Sequence, residues 1–418
     1  METINRRNLT ILAAVMFVVM LGFGMVMPIF PFYIESMGAS GTELGLLLAI
    51  SPFMQILFSP LWGSFSDRYG RKPVLALGIF GYAISLFLYG LATRLWMLFA
   101  ARAVGSVLSS ATTPTTYAYV SDSTAAEERS GGIGILGAAM GLGMIFGPAF
   151  GGWLGGDSLS TPFFITGGLA LVTLLLLLRF LPESLPPHER TAPAGADRSS
   201  PAVRLRQAWR EWRELATGSI ALLLFLAFLV SFALTNFQGI FGLYALEKFG
   251  YGTGQVGWIL TTMGGVAVVA QGLLAGPLTK RWGEQPLIKW TLLAGAVTFL
   301  LLLQASTFST ILLATALFTL PNALLRPAVV ALTSKMVPER QGILMGLSNS
   351  ANNVGRAIAP VWAGFVFDID VNYPYFSGAA ILFAGFLISL RWLNIGDKEK
   401  TILVEAAGTQ TPLARKER

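Results

Sequence analysis

Runs of about twenty mostly apolar residues recur along almost the entire chain, and that single pattern restricts it to one environment. A bilayer core of about 30 Å is crossed by about 20 helical residues, and the backbone must satisfy its own hydrogen bonds there. Spans are expected near 9–34, 43–65, 73–92, 95–121, 130–154 and 160–181, then 218–246, 254–279, 286–305, 309–334, 341–367 and 374–395, with ends good to about four residues. Charged residues make up only 12% of the chain, half of the roughly 25% usual in soluble domains. Forty-six glycines suit membrane helices that approach closely. Arg6 and Arg7 precede an apolar run, as in a signal peptide. That run continues from Leu9 to Ile34 without a small-residue cleavage site, so it is expected to be a retained first span.

Absence of cysteine removes disulfides and thiolate metal sites. His188, the single histidine, cannot form a metal cluster alone, so neither metal nor cofactor is expected. No nucleophile and base, or set of ligands, falls at one membrane depth, which argues against an enzyme. A net charge of +7 could suggest nucleic acid, but the basic residues fall in alternate loops. Arg6 and Arg7, the Arg68–Lys72 turn, Arg129, Lys280 and Arg281, Lys335 and Arg340 lie on one side. Glu35, Glu43, Asp157, Glu247, Asp368 and Asp370 dominate the other, with Arg94 and Lys248 as exceptions. Positive charge collects on the cytoplasmic side. The expectation is a multi-pass protein of the cell (inner) membrane with both termini cytoplasmic, a monomer with no nucleic-acid partner.

Residues 1–181 and 218–395 are expected to form two six-helix bundles, joined by a linker at 182–217 and followed by a cytoplasmic tail at 396–418. Pro186, Pro187, Pro193, Gly195 and Pro201 make the first part of the linker flexible. Arg204, Arg206, Trp209, Arg210, Trp212 and Arg213 suggest a basic amphipathic helix, either on lipid headgroups or solvated. The bundles are repeats of one another. Gly63, Asp67, Arg68 and Gly70 align with Gly276, Lys280, Arg281 and Gly283; Pro114 aligns with Pro327; Gly143, Gly147, Pro148 and Gly152 align with Gly355, Ala359, Pro360 and Gly364. The offsets are 213, 213 and 212 residues.

The turn holding Gly63, Asp67, Arg68, Gly70, Arg71 and Lys72 resembles the signature loop of the major facilitator superfamily. Gly143, Gly147, Pro148, Gly151 and Gly152 resemble the motif of its antiporters. Arg102 to Gly105, and Gly22 with Pro28 and Pro31, complete a set similar to that of twelve-span drug:proton antiporters, including multidrug and tetracycline efflux pumps. The resemblance covers the first half and weakens in the second. It implies an all-α membrane fold of two pseudo-symmetric six-helix bundles, alternating access, and a proton gradient as the energy source. It further implies a gate formed by Gly63, Asp67, Arg68, Gly70, Arg71 and Asp122. In that gate Asp67 would face the start of the eleventh helix near Gln341 and Arg71 would pair with Asp122. Simple headgroup anchoring is the alternative. Gly63 would permit close helix approach and Gly70 a tight reversal.

The glycines and Pro148 of the fifth span, with Gly355 and Pro360 of the eleventh, are expected to give a packed hinge. Arg102 opens a polar face with Ser106, Ser109 or Ser110, Thr113 and Tyr117, which fits a wet cavity or, near the span's outer end, snorkelling. Asn236, Gln238, Asn322, Arg326, Asn352 and Arg356 are candidate polar lining from the second half. Phe23, Met27 and Phe30 are a candidate apolar wall, unless they are plain helix packing. Candidates for proton coupling are Arg102, Asp67, Asp122 and Glu35, although arginine itself does not titrate. One departure from the family pattern is conspicuous: no carboxylate lies in the membrane core, and Lys280 stands opposite Asp67 in the repeat. The expected activity is export of a small amphiphilic substrate by proton antiport, with flipping of lipids or lipid-linked anionic compounds as the alternative.

Overall fold

The structure, a computed structural model, describes residues 6–125, 128–186, 190, 218–336 and 341–393. The anticipated interfacial helix at Arg204–Arg213, His188, most of the 182–217 linker and the 396–418 tail lie outside the described residues. Twelve helical spans account for nearly everything else. Among the described residues, eleven are long and apolar enough to cross a membrane. The twelfth, Gln341–Phe367, is the eleventh in chain order and carries Asn349, Asn352, Asn353 and Arg356.

Proline sets the breaks. The first span runs Arg6–Val26, turns at Met27–Ile29, and resumes as Phe30–Glu35. Pro28 and Pro31 lack the N–H that would continue the ladder. In the fourth span, Leu95–Ser109 and Thr112–Asp122 are separated at Ser110 and Ala111. Pro114 withholds its bond from the Ser110 carbonyl there and its ring crowds that oxygen. The second span is Gly41–Tyr69 and the third Arg71–Leu91, reversed at Gly70, whose φ of 103° only glycine adopts without strain. Gly283, its repeat counterpart, has φ 79° between the eighth span, Thr253–Trp282, and the ninth, Glu284–Gln304. A π-helical turn at Ala270–Leu274 interrupts the eighth.

The remaining spans are the fifth, Arg129–Leu154, the sixth, Thr161–Phe180, the seventh, Gly218–Phe249, the tenth, Phe308–Met336, and the twelfth, Tyr373–Trp392. Within the first six, the first span packs on the fifth and the third on the sixth. The second six repeat this, seventh on eleventh and ninth on twelfth. Two helix pairs make the main junction between the halves, second with eleventh and fifth with eighth, and the seventh adds smaller contacts with the second and with Phe30–Glu35. Outward-facing residues such as Trp153, Leu175 and Leu273 are largely exposed, as a surface solvated by lipid should be.

Candidate functional site

The end of the molecule carrying Arg71, Lys280 and Lys335 is called the basic end here, and that carrying Glu35, Asp157 and Asp368 the acidic end. At the basic end, Arg71 is buried beneath the turn that follows the second span. Its Nε donates to Asp122 Oδ2 at 2.7 Å, and its Nη1 donates to Asp67 Oδ1 at 2.5 Å and to Ser66 Oγ at 2.6 Å. One guanidinium fork thus ties three groups of the first bundle together, which a lysine cannot do. Asp67 keeps a half-exposed side chain. Among the described residues its hydrogen-bond partner is Arg71 of its own bundle; the chain around the start of the eleventh span, where the contact between halves was expected, lies partly outside the described residues. Gly63 has no atom within 4 Å of the place where a side chain would start. The close approach anticipated at that glycine is absent because the helices are splayed at this end. Arg68 is exposed and rests beside the Tyr69 ring at 5.3 Å.

Sequence reasoning missed Glu183. Its carboxylate accepts from the backbone N–H groups of Arg71 and Lys72 at 2.8 and 3.2 Å, capping the third span. An acidic residue that follows Pro182 in the loop after the sixth span gives no sign of which helix it will meet. Arg71→Gln would strand Asp122 and Asp67 without their cation. Breaking a buried pair costs about 3–5 kcal/mol, and the partial exposure of both carboxylates reduces this to roughly 2 kcal/mol. Arg71→Lys should recover less than half of it. Thermal unfolding of the purified protein checks the order, wild type above Lys above Gln.

The junction between halves is closed at the acidic end. A Cβ on Gly45 would lie 2.1 Å from the Pro360 carbonyl oxygen, and one on Gly364 would lie 2.0 Å from the Gly41 oxygen. On the other seam, a Cβ on Gly152 would meet the Thr253 oxygen at 2.5 Å, and one on Gly257 the Pro148 oxygen at 2.5 Å. Thr253 Oγ1 donates to the Gly152 carbonyl across that seam at 3.0 Å. The glycine face of the fifth span is therefore divided. Gly143, Gly147 and Gly151 sit on the first span's backbone within their own bundle, whereas Gly152 and Pro148 reach the other half. In the eleventh span the division repeats: Gly355 abuts Phe228 and Phe232 of the seventh, and Pro360 meets Gly45 of the second. Towards the basic end contact stops. Gly137, Gly272 and Gly346 have open space around them. Among the described residues, the hydrogen bonds that cross between halves all lie at the acidic end.

Three arginines lie near enough for their charges to be felt together. The charges of Arg102, from the first half, and Arg326 both act on Arg356. Arg326 is exposed and Arg356 half-buried. Arg102 is 8% exposed, lies over the Phe30 ring at 5.0 Å, and has a buried Nε without a partner. Among the described residues none of the three has a carboxylate partner. Phe23, Met27, Thr113, Tyr117, Gln238 and Asn352 keep part of their surface accessible. Tyr117 Oη points at Met140 Sδ, 3.7 Å away, and Asn352 Oδ1 accepts from Ser231 at 2.6 Å. Ser106 is buried and shares a 2.6 Å hydrogen bond with Ser51 of the second span. Glu35 is exposed at the acidic end.

Three of the expected lining residues face elsewhere. Phe30 is fully buried inside the first bundle, 5.3 Å from Tyr89 and 5.7 Å from Phe163. Asn236 has no exposed surface, and its Nδ2 donates to the Pro374 carbonyl of the twelfth span at 2.8 Å. Asn322, equally buried, donates to Phe318 O in its own helix and lies against Gly295 of the ninth. Asn236 thus ties the seventh span to the twelfth, while Asn322 is buried within the second bundle and bonds only along its own helix. A groove of about 510 Å³ is lined entirely by apolar residues, including Leu46, Ile50, Phe53, Ile358 and Trp362. At about 100° per residue, Ile358 and Phe365 are roughly opposite Arg356 on the helix, so this groove is not the polar site.

Two like six-helix groups, sealed against each other at one end and parted at the other, define a duplicated, multi-pass helical membrane protein. The chain belongs to the Major Facilitator Superfamily, whose family model matches residues 12–237 and 223–417. It is 31% identical over 382 residues to multidrug resistance protein 2 of Bacillus subtilis (strain 168), covering 91% of this chain and 94% of that relative. Quinolone resistance protein NorA of Staphylococcus aureus (strain COL) is 25% identical, with 90% and 93% covered. Among solved structures, a bacterial homologue of the human lysosomal transporter Spinster, inward-facing and unoccupied, superposes with a TM-score of 0.75 at 16% identity. It covers 94% of this chain and 98% of its own. The human organic anion transporter MFSD10 gives 0.65 at 22%, with 93% and 100% covered. The fold is thus the all-α major facilitator fold.

Proposed function

We propose that the chain is a secondary active transporter that exports amphiphilic small molecules, drugs among them, in exchange for protons. The observation that carries this reading is the asymmetry of the junction, closed backbone to backbone at the acidic end and parted at the basic end. The lysine- and arginine-rich loops put the basic end in the cytoplasm, which makes this arrangement an inward-open carrier. Rocking one bundle against the other would seal the basic end and open the acidic end, delivering the cargo outside. Relatives named for multidrug and quinolone resistance support drug export.

The proton must be held by a carboxylate, since arginine stays charged. Asp67 and Asp122 share Arg71 within the first bundle, so a change of charge at either would alter whether Asp67 stays turned to Arg71 or is free to meet the eleventh span, while Glu35 faces the outer side. Three arginines without a carboxylate favour a neutral, zwitterionic or anionic cargo over a cationic one. The same arginines favour a second reading, flipping of lipid-linked anionic compounds.

Reconstitution into liposomes with an imposed pH gradient tests these readings. Gradient-driven flux of a labelled amphiphile should exceed that of protein-free liposomes several-fold and fall about tenfold in Asp67→Asn. Flux indifferent to the gradient retires proton coupling. Lipid scrambling without amphiphile flux transfers the function to the second reading.

A further inference from the structure

We infer that Asp368 is the outer-side lock of the carrier: its carboxylate, at the end of the eleventh span, caps the N-terminus of the second span across the junction and holds the acidic end shut. The inference rests on alternating access as proposed above, and concerns what sets the balance between its two states.

A helix begins with backbone N–H groups that have no partner within the helix. The second span satisfies part of this need itself. Ser40 Oγ accepts from Glu43 N at 3.2 Å, and Glu43 Oε2 accepts from Ser40 N at 2.8 Å, closing a capping box. Gly41 and Thr42 remain. Asp368, 327 positions away, takes both: its Oδ1 accepts from Gly41 N at 2.7 Å and its Oδ2 from Thr42 N at 2.9 Å, with the Thr42 hydroxyl as a third donor. A carboxylate here also meets the positive end of the helix dipole. The fit depends on glycine. A Cβ on Gly41 would lie 2.8 Å from Asp368 Oδ1, and Gly364 lets the two backbones touch. Among the described residues, the other seam has only the uncharged Thr253–Gly152 bond.

The second and eleventh spans run antiparallel, so each places a carboxylate near the start of its neighbour. Asp368 does so at the acidic end. Asp67, near the end of the second span, is placed to do so at the basic end, where the eleventh begins at Gln341. Rigid bundles that rock about their middle cannot engage both ends at once. In this structure Asp368 is engaged and Asp67 is turned to Arg71. The equilibrium is then a competition between two caps of the same kind on one helix pair.

The chain has no cysteine, so spin labels go only where cysteines are introduced. One pair, Ser158→Cys with Ser306→Cys, spans the halves at the acidic end; another, Ser130→Cys with Lys280→Cys, spans them at the basic end. Distance distributions in lipid nanodiscs should show Asp368→Ala shifting the ratio of outer-closed to outer-open molecules about tenfold. The basic-end pair should move the opposite way. Asp368→Asn should shift less, and Gly364→Ala, which blocks the approach, should shift in the same direction as Asp368→Ala. Asp370→Ala, which removes a cap confined to its own loop at Asn372, should match wild type. A wild type that alternates alongside Asp368→Ala and Gly364→Ala variants with unchanged distributions overturns the lock alone. Equal shifts in Asp370→Ala also overturn it. Distances fixed at both pairs in every variant, with and without a pH gradient, overturn alternation and lock together.

Discussion

Gly45→Val is expected to abolish flux, by at least tenfold, while the amount of folded, membrane-inserted protein stays within about twofold of wild type. Gly151→Val should instead lower that amount several-fold. The two substitutions are alike chemically and meet similar obstacles: a Cβ on Gly45 would sit 2.1 Å from Pro360 O, and one on Gly151 2.2 Å from Met25 O. Both obstacles are backbone, which cannot swing aside as a side chain can, so the helices themselves must part. Their positions differ. Gly151 and Met25 belong to the same bundle, and parting the first and fifth spans disrupts the interior that defines it, a form of overpacking that costs about 1–3 kcal/mol or more. Gly45 and Pro360 belong to different halves. Separating them leaves each bundle whole and prevents only the closed acidic end, which any alternating carrier must visit. A flux assay beside a fluorescence-detected measure of monodisperse protein separates these outcomes. Equal loss of folded protein in both variants would mean that the second–eleventh seam is part of the folding core and not a gate.

The spans, their number and the duplication were legible because each rests on local chain chemistry. Apolar length fixes a span, and glycine at 70 and 283 permits the two matching reversals, whereas the breaks at Met27–Ile29 and Ser110–Ala111 fall inside spans read as continuous. The partnership of Arg71 with Asp122 was readable through the family resemblance, and it is geometrically natural, since a charge at the start of one span and another at the end of the next meet at the same membrane depth. What sequence could not supply was the direction in which a buried polar residue points. Asn236 and Asn322 stand on apolar helices just as a cavity residue would. Their amides in fact face the twelfth and ninth spans, because much of the surface of the seventh and tenth spans is buried against neighbours and several faces could hold a polar group. Phe30 was misplaced for the same reason. The capping roles of Glu183 and Asp368 escaped notice for a different one. Capping in trans depends on which helix start lies nearby, and that is a property of packing across 112 and 327 positions.

On the proposed reading the three arginines select the charge of the cargo, and the expected effect is large. Replacing both Arg326 and Arg356 with glutamine should weaken binding of an anionic amphiphile about a hundredfold, since each charge-assisted hydrogen bond contributes about 1.5–3 kcal/mol. Binding of a permanently cationic dye should be unchanged or tighter. A cation brought within 4 Å of one guanidinium meets about 4 kcal/mol of repulsion at an effective dielectric of 20, and a second arginine adds to it. An anion meets the reverse, and it relieves the crowding of like charges that Arg102 and Arg326 impose on Arg356. Arg102→Ala should matter less for affinity, because that guanidinium is already seated on the Phe30 ring and is largely covered. Displacement of a fluorescent anionic amphiphile from the purified protein, repeated with a cationic dye, reads both affinities directly. Should the wild type prefer the cation, and the double variant bind both as the wild type does, the arginines would face structural roles alone. Selectivity would then have to arise from the half-buried Phe23, Met27 and Tyr117, whose apolar surfaces discriminate by size and shape and not by charge.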